Sequence, residues 1–458
     1  MSMRMFGFGT RNGNDSRRRE IIAFTWPVII TNLMQSLTVT IDTLMLGNIG
    51  GEIGRDSIAG QGLGSQVVFL THALMMAVSA GTIALVARYT GAQQKARAER
   101  VMEQSIIIGI ILSVILTLLG WFFGGYAVEL FGAGPEVQSL AEVYVKYVFL
   151  GTVFSFFTFI MGAALRGAGD MKTPMIIAAI TNVVNIFLNY VLIFGHFGFP
   201  AMGVKGAAIA TSIGFAVGAV AYIYLLLARK LALNMPAAGK RFVKGVVRKI
   251  MKIGTPAAAE QAVLQTGFLF YTAIIVYFGS AALAGHQIGA RIQSLAFMPG
   301  MGFAMAATAL VGQYLGARKP DVAEHSGWES TKLAMLVMCG IGAVMFVFAK
   351  QLSALFVDDA ETIEYAALWM RLQALAMPAI GIHFTLSGAL RGAGDTRWPL
   401  NVSAIGMFAV RLPIAIILGF TLGLGILGAW IAFVVEYNVR ALIIAWRFRK
   451  GHWKTIKV

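Results

Sequence analysis

One acidic residue, Asp42, lies inside an apolar stretch near the amino terminus, in the segment LTVTIDTLML. Gln35, Thr38 and Asp42 are spaced i, i+3 and i+7, so a helix would place them on one face. Met34 precedes this stripe. An ionisable group at membrane depth is costly and marks a functional position by default. We predict that Asp42 binds a proton or a cation, unless it lies solvated at the outer interface.

Three asparagines form a second polar stripe in the segment ITNVVNIFLNYVLIFG. Asn182, Asn185 and Asn189 again recur at i, i+3 and i+7, which places three amides on one helical face. Amides supply donors and acceptors without a fixed charge, so they can position an acid in either protonation state. They can equally serve as hydrogen bonds between membrane helices. Apolar and amide surroundings disfavour an ionised carboxyl, so we predict that proton and organic substrate bind Asp42 in mutually exclusive fashion.

The composition is that of a polytopic membrane protein. Of 458 residues, 58% are hydrophobic and 13% are charged, whereas soluble domains carry about 25% charged residues. Twelve apolar segments are long enough to span a bilayer. These spans 1 to 12 lie at about 21–47, 57–87, 101–123, 139–165, 173–195, 203–228, 252–278, 282–310, 327–349, 362–389, 398–420 and 425–446.

Basic residues concentrate on one side of the predicted membrane. Alternate loops carry most of the Lys and Arg, while the other loops hold little beyond Arg55, Lys146, Lys205 and Lys350. The positive-inside rule then places both termini in the cytoplasm. It also accounts for the net charge of +16 without a nucleic-acid partner. We expect a multi-pass protein of the plasma (inner) membrane, surrounded by membrane lipids.

The two halves of the chain repeat each other. Residues 164–170 and 389–395 both read ALRGAGD, 225 positions apart, and 84–92 matches 309–317 at six of nine positions at that offset. Six spans in each half predict two lobes related by an axis along the membrane normal, as in transporters that rock around a central site. The predicted divisions are a cytoplasmic segment 1–20, an amino-terminal lobe 21–230, a linker 231–250 that includes Pro236 and Gly239, a carboxy-terminal lobe 251–446 and a tail 447–458.

Several motifs together resemble the MATE family, the multidrug and toxic compound extrusion transporters. They are the two ALRGAGD-x-x-x-P segments that end at Pro174 and Pro399, TWP at 25–27, IDTLMLG at 41–47 and MGVKGAAIATSIG at 202–214. The likeness covers essentially the whole chain. It implies an all-α membrane protein with 12 transmembrane helices in two six-helix lobes around a V-shaped cavity. It also implies a secondary active antiporter that exports amphiphilic organic cations in exchange for H+ or Na+.

The resemblance also implies roles for single residues. Asn185 and Asn189 match paired asparagines that, with the span-1 acid, form the amino-terminal-lobe site of the NorM-like branch, and Thr211 matches a hydroxyl near that site. Leu264 and Ile380 stand where that branch carries acids in the second lobe. This departure favours proton coupling, with Na+ at Asp42 as the alternative. We expect no cofactor and no other metal, and no phosphate-binding G-x-x-x-x-G-K-[ST] sequence occurs.

The second lobe offers Glu260, Arg291 and His383 as polar candidates. Glu260 and Arg291 are predicted either to pair structurally across spans 7 and 8 or to contact substrate or protons. Arg371 and Arg411 are expected to extend to the outer face.

Two prolines and the single cysteine complete the candidate positions. Pro27 and Pro256 remove backbone donors early in spans 1 and 7 and predict kinks, either static or coupled to transport. Cys339 is expected to pack in an apolar run.

We therefore predict a monomeric multidrug exporter, not an enzyme. Methionines such as Met34 would either adapt to flat hydrophobic cations or fill gaps between helices. The alternative is a flippase for a lipid-linked saccharide from the same superfamily. A flippase should need several cations in its cavity to hold a pyrophosphate, and Arg291 is the only strong candidate in the sequence.

Overall fold

A computed structural model describes residues 14–235 and 242–456, which fold into long α-helices with no strand in those ranges. Apolar runs of this length fold as helices in a membrane because a helix satisfies its backbone polar groups internally. The amino-terminal lobe contains α1 (Asn14–Gly47), α2 (Gly51–Gly91), α3 (Lys95–Glu129), α4 (Pro135–Leu150), α5 (Thr152–Gly167), α6 (Lys172–Phe194) and α7 (Val204–Leu227).

The carboxy-terminal lobe repeats this arrangement. It contains α8 (Lys244–Val276), α9 (Ser280–Gly316), α10 (Pro320–Val347), α11 (Ala349–Ala354), α12 (Ala360–Ala393), α13 (Arg397–Ala404), α14 (Leu412–Ile416) and α15 (Gly425–Arg449). Two π-helical segments, Ile405–Arg411 and Ile417–Thr421, make α13 and α14 parts of one span, and a 3-10 turn follows at His452–Thr455.

Within the described residues, twelve spans are present if one bent pair is counted as one span. Eleven helical segments are long and apolar enough to cross a bilayer, and α4 and α5 form the twelfth with a bend of 54°. The bend lies at Gly151, where an added Cβ would come 2.4 Å from the Ser212 hydroxyl of α7. That hydroxyl donates to the Tyr147 carbonyl oxygen at 2.9 Å. The close approach of α7 therefore accompanies the bend. Because the described residues form helices and no strands, the predicted all-α fold is confirmed.

The ALRGAGD repeats end equivalent helices in equivalent ways. Gly169 and Gly394 have φ values of 93° and 88°, a left-handed conformation that favours glycine. The preceding glycines, Gly167 and Gly392, touch backbone. A Cβ would lie 2.8 Å from the Ile83 carbonyl oxygen in the first lobe and 2.1 Å from the Thr308 carbonyl oxygen in the second. The second contact is the first one shifted by 225 positions along the chain.

The lobes meet through a reciprocal pair of glycines at the end where the described chain begins and ends. A Cβ at Gly91 would lie 1.8 Å from the carbonyl oxygen of Gln313, and a Cβ at Gly316 would lie 2.0 Å from that of Arg88. These contacts exchange under the 225-residue offset, as a two-fold axis between lobes requires. We call this end, with its loops rich in Lys and Arg, the basic end, and the opposite one the open end.

The carboxy-terminal segment adds contacts at the basic end. Trp453 is fully buried and stacks on Phe448 with 4.6 Å between ring centroids. Lys454 pairs with Asp321 and Glu324 of α10. The Arg88 guanidinium of the other lobe donates to the Ile456 carbonyl oxygen at 2.8 Å. The last described residues thus connect both lobes.

Contacts from the start of α1 close the same end. Tyr314 of α9 donates to the Glu20 carboxylate at 2.8 Å, and Arg18 lies 3.5 Å from Glu329 of α10. The predicted segment 1–20 is therefore helical from Asn14 onward. Residues 1–13, the predicted linker positions Pro236 and Gly239, and residues 457–458 lie outside the described residues.

The connection between the lobes packs on the first lobe where it is described. Leu231 and Leu233 are buried in the core of the amino-terminal lobe, and the backbone N–H of Asn234 donates to the Glu99 carboxylate at 3.0 Å. Cys339 is exposed on α10, so the expectation that it packs inside was wrong. In a membrane span an exposed thiol behaves as a small apolar group toward lipid.

Candidate functional site

Asp42 lies inside the amino-terminal lobe and is 8% exposed. Helix α1 presents it to α6, where Asn189 Nδ2 donates to Asp42 Oδ1 at 2.5 Å. Asn189 itself is fully buried. Within residues 14–235 and 242–456, Asp42 forms no ion pair. The arrangement therefore holds one acid against a neutral amide rather than against a cation.

A chain of neutral side chains continues from this acid. Asn189 Nδ2 also donates to Asn185 Oδ1 at 3.1 Å, and Asn185 Nδ2 donates to Thr211 Oγ1 of α7 at 3.3 Å. Thr211 Oγ1 donates to the Ala207 carbonyl oxygen at 3.0 Å. If the Asn185 amide turns over, its nitrogen donates to Asp42 Oδ1 at 3.2 Å and its oxygen accepts from Thr211. Asn185 thus has two hydrogen-bonded orientations beside the acid.

One acceptor in this chain is unused. Asn189 Oδ1 is buried and accepts no hydrogen bond from the described protein groups. Buried polar atoms are normally paired, so an unused acceptor beside a carboxylate suits a donor or a cation. An apolar cluster covers the site on its open-end side and consists of Leu46, Ile193, Val204 and Ala207.

The remaining residues of the two predicted stripes stay outside the hydrogen-bonded chain. Thr38 is buried but donates to the Met34 carbonyl oxygen of its own helix at 2.9 Å. Gln35 is exposed, and Met34 is half-buried. Asn182 lies one turn from Asn185, and its Nδ2 is buried without a partner among the described groups.

Both predicted kink prolines lie within continuous helices. Pro27 is inside α1, and Pro256 is inside α8.

Helices α2 and α4 contribute residues near the site that the sequence patterns did not reveal. Gln61 is buried, and Thr43 Oγ1 lies 3.5 Å from its Oε1 atom. The Tyr144 side chain lies next to Ser65 and Gln61. Gln61 and Ser65 lie four residues apart on α2, whereas Tyr144 is on α4. Packing between the two helices brings these residues together, so periodicity within one helix did not single them out.

Glu260 pairs with Arg391 and not with Arg291, which corrects the predicted pair. The Arg391 guanidinium donates to Glu260 at 2.8 Å, and the Ser403 hydroxyl donates to its other oxygen at 2.9 Å. The physical reason is that Glu260 lies on a different face of α8 from the one that contacts the other lobe. Gly254 touches Ala77 of the other lobe, and Glu260 lies six residues later, about 120° around the helix. This face turns Glu260 toward Arg391 and Ser403.

Arg411 is buried, so the expectation that it extends to the outer face was wrong. It forms an ion pair with Glu436, which also pairs with Arg440 one turn later on α15. The Arg440 guanidinium donates to the Ser403 carbonyl oxygen at 3.1 Å. The Arg411 guanidinium carbon lies 4.8 Å from the Phe433 ring centroid. The i, i+4 spacing of Glu436 and Arg440 was the sequence signal for this cluster.

The other polar candidates of the second lobe differ in burial. His383 is 3% exposed between the rings of Phe384 and Tyr437, and its Nδ1 has no partner among the described groups. Arg371 is half-buried, whereas Arg291 is exposed. His383 is thus enclosed, and Arg291 is accessible.

Arg291 faces a cleft between the lobes. Gly302 of α9 packs on Ile29 of α1, and Arg291 lies eleven residues away, about three turns and 16 Å, on nearly the same face. On α1, the position eleven residues from Ile29 toward the open end is Thr40. For the second contact between the lobes, Ala77–Gly254, the corresponding positions toward the open end are Gln66 on α2 and Gln265 on α8. All four positions are exposed, so the lobes diverge toward the open end; they are Thr40, Gln66, Gln265 and Arg291.

Comparison with known families identifies one match in both lobes. The family model described as MatE matches residues 27–191 and 256–417, which together form most of the chain. The chain belongs to the MatE family. Members of the MatE family are transporters, so the protein is a multi-pass membrane transporter rather than an enzyme. The first matched range contains Asp42, Asn185 and Asn189.

Curated relatives of this MatE chain share its whole length. It is 33% identical to a probable multidrug resistance protein NorM of Thermotoga maritima over 448 residues, which cover 95% of this chain and 93% of the relative. It is 29% identical to the multidrug resistance protein NorM of Burkholderia vietnamiensis, covering 94% and 92% of the two chains. It is 27% identical to an uncharacterized transporter, YisQ, of Bacillus subtilis over 94% of each chain.

Solved structures share the fold. An outward-facing multidrug resistance MATE family transporter of the MOP superfamily superposes with a TM-score of 0.89 at 24% identity, covering 96% of this chain and 97% of the other. A variant of the Vibrio cholerae MATE transporter VcmN superposes with a TM-score of 0.86 at 22% identity, covering 95% and 97% of the two chains. The two-lobed MatE architecture predicted from the repeats is therefore confirmed.

Proposed function

We propose that this protein is a multidrug exporter that exchanges amphiphilic organic cations for protons, with Asp42 as the switch. The observation that carries the proposal is the buried Asp42 carboxylate, which Asn189 holds without a cationic partner in the part of the chain that the structure describes. A carboxylate with neutral neighbours can accept a proton or a monocation. A carboxylate paired with a guanidinium would instead leave that guanidinium without an anion when it is protonated. NorM relatives named as multidrug resistance proteins support the substrate class.

The neutral partners of Asp42 suit a group that changes charge during a cycle. With the carboxylate ionised, Asn189 and a turned-over Asn185 donate to it. With the carboxyl protonated, its O–H can donate to the unused Asn189 oxygen. Each state keeps its hydrogen bonds, so protonation strands no buried charge.

The orientation follows from the charge on the loops. The positive-inside rule assigns the basic end to the cytoplasm, together with both termini, in a plasma (inner) membrane. The cleft then opens to the outside. In this state Asp42 would release substrate and take up a proton. The cytoplasmic contacts through Gly91 and Gly316 would have to separate before substrate entered from within.

Proton coupling is favoured over sodium coupling by the inventory of acids. Asp42 is the single carboxylate of its cluster, and the corresponding acid positions of the second lobe are occupied by Leu264 and Ile380. One acid carries one proton in each cycle. Exchange of one proton for one monocation moves no net charge, so a pH gradient should drive it and the membrane potential should not.

The cleft favours export of cations over flipping of a lipid-linked saccharide. Arg291 is one cation among neutral neighbours, Thr40, Gln66 and Gln265. A pyrophosphate headgroup would be expected to need more basic partners than one. In an exporter, Arg291 would repel the cationic end of a substrate and direct it toward the amino-terminal lobe and Asp42.

Proteoliposomes containing the purified protein test the proposal. Efflux of a fluorescent monocation is measured with a pH gradient alone, a sodium gradient alone, or a potassium-clamped membrane potential alone. We expect transport in the first arm only, and its loss in Asp42→Asn. The matched control is Asp358→Asn, the same chemical change at an exposed position, which should transport normally. Undiminished pH-driven efflux by Asp42→Asn would refute the switch, and efflux driven by sodium alone would refute proton coupling.

A further inference from the structure

A groove at the basic end separates α8 from α13 on the outside of the carboxy-terminal lobe. Its volume is 580 Å³. It lies near the beginning of both helices, and it is distinct from the cleft between the lobes. The lining residues are Arg248, Met251, Lys252, Thr255, Pro256, Ala259, Arg397, Leu400 and Asn401.

The groove concentrates positive charge that the described protein does not neutralise. Arg248, Lys252 and Arg397 are all exposed, and none forms an ion pair within residues 14–235 and 242–456. Arg248 and Lys252 are four residues apart on α8, where like charges repel each other. The nearby Glu260 is already held by Arg391 and Ser403. An anion in the groove would relieve this repulsion.

The beginning of α13 adds to the same field. This helix begins at Arg397, which lines the groove, and the first turn of a helix carries a partial positive charge that favours anions. Asn401 and Thr255 add neutral polar groups to the lining of the groove. The chemistry is therefore that of a phosphate site with hydrogen-bonding groups beside it.

The open side of the groove faces lipid rather than the cleft. On α8, Lys252 and Thr255 lie 100° to 160° around the helix from Gly254, which packs on the other lobe. The same stripe continues to Phe270, which is 57% exposed. On the other wall, Arg397 and Asn401 lead into the exposed side chains of Ile405 and Phe408. Large apolar side chains exposed on a membrane span contact hydrocarbon, so two apolar tracks leave the basic groove in the direction of the bilayer centre.

We propose that this groove binds an anionic glycerophospholipid of the leaflet at the basic end. The phosphate would contact Arg248, Lys252 and Arg397, and the acyl chains would follow the two apolar tracks. Basic pockets between membrane helices are suited to such headgroups. The lipid would hold α8 against α13 next to Pro256, one helix face away from the Gly254 contact with the other lobe.

Native mass spectrometry and thermal unfolding of the detergent-purified full chain test this site. The probes are phosphatidylglycerol, phosphatidylcholine and inorganic phosphate. We expect phosphatidylglycerol to bind and to raise the unfolding temperature, while the other two do neither. Each basic side chain near an anionic headgroup contributes about fivefold in affinity. The triple variant Arg248→Gln/Lys252→Gln/Arg397→Gln should therefore bind phosphatidylglycerol roughly a hundredfold more weakly.

A matched triple variant controls for net charge. Arg229→Gln/Arg449→Gln/Lys450→Gln removes three exposed charges from the same end and should bind like the wild type. The single variant Lys252→Gln should lose about fivefold in affinity, which keeps the test valid if the triple variant does not fold. Equal binding by the groove variants and the wild type would overturn the proposal. Equal binding of phosphatidylcholine, or an equal temperature shift with inorganic phosphate alone, would also overturn it.

Discussion

The two lobes repeat each other in sequence but enclose opposite kinds of polar cluster. In the amino-terminal lobe, the single acid Asp42 contacts the neutral Asn189. In the carboxy-terminal lobe, Glu436 lies between Arg411 and Arg440, so two cations share one anion. The 229-residue separation of Pro27 and Pro256 carries Asp42 onto Tyr271. The Tyr271 hydroxyl donates to the Ala429 carbonyl oxygen at 3.0 Å.

This difference separates a group that can change charge from groups that cannot. A proton on Asp42 leaves only neutral neighbours, whereas a proton on Glu436 would leave two buried guanidinium groups without an anion. Removing one partner of a buried ion pair costs about 3–5 kcal/mol. The first lobe is thus suited to switching and the second to holding its helices in place.

The largest expected effect is on stability and comes from Glu436→Gln. Loss of the shared anion should destabilise the protein by about 3–5 kcal/mol, seen as a large fall in unfolding temperature in detergent. Glu364→Gln breaks the exposed pair with Lys350 and should cost about 1 kcal/mol or less. Unfolding temperatures that fall equally in the two variants would contradict a structural role for the buried cluster.

Asn189→Leu tests the switch without removing the acid. It deletes the donor to Asp42, and a hydrogen bond to a charged group contributes about 1.5–3 kcal/mol. We expect at least a tenfold loss in affinity for a transported monocation in binding assays, because the ionised carboxylate loses its partner. The control Asn438→Leu changes an exposed asparagine of α15. Unchanged affinity in Asn189→Leu would show that the Asn189 amide does not take part in binding the substrate.

Gly91→Ala and Gly316→Ala test what the lobes share. Each methyl group would meet a carbonyl oxygen of the other lobe, and overpacking of this kind costs about 1–3 kcal/mol. Because the contacts are reciprocal, we expect equal loosening of the basic end, measured as faster labelling of a cysteine placed there. Gly340→Ala, at a position with nothing nearby, is the control. Strongly unequal labelling of the two variants would break the two-fold relation.

The smallest expected effect is on selectivity and comes from Arg291→Gln. Removing this cation from the cleft should lower KM for a dicationic dye several-fold while changing that of a monocation less. Partly screened charges at such distances are worth about 1 kcal/mol. Arg55→Gln, an exposed change in the open-end loop region, is the control. If the KM of each dye is the same in Arg291→Gln as in the wild type, Arg291 does not select substrates.

The sequence predicted those features that recur along one helix or between the halves. The ALRGAGD repeats predicted two equivalent halves, and the structure ends equivalent helices there, with left-handed glycines at Gly169 and Gly394. The family, the fold class and the absence of enzymatic activity were predicted correctly. Asp42 and Asn189 were each visible as members of helical stripes, although their contact joins residues 147 positions apart.

The missed features depend on how helices pack against one another. Gln61 and Tyr144 approach the site from α2 and α4, and no pattern within either helix distinguishes them. Arg411 was assigned to the outer face because long basic side chains usually extend there. It ends a π-helical segment instead and meets Glu436 from α15. Glu260 was assigned to Arg291 from proximity of spans, but their faces diverge.

The segment at His452–Thr455 gives the protein an unexpected sensitivity at its tail. Trp453 anchors this segment in one lobe, and the Ile456 carbonyl accepts from Arg88 in the other. A purification tag or fluorescent reporter fused beyond this segment would disturb the contacts by which it connects the two lobes. Proteolytic removal of the residues after Gly451 would break those contacts. Reporters intended to leave the transport cycle undisturbed are better inserted in loops at the opposite membrane face.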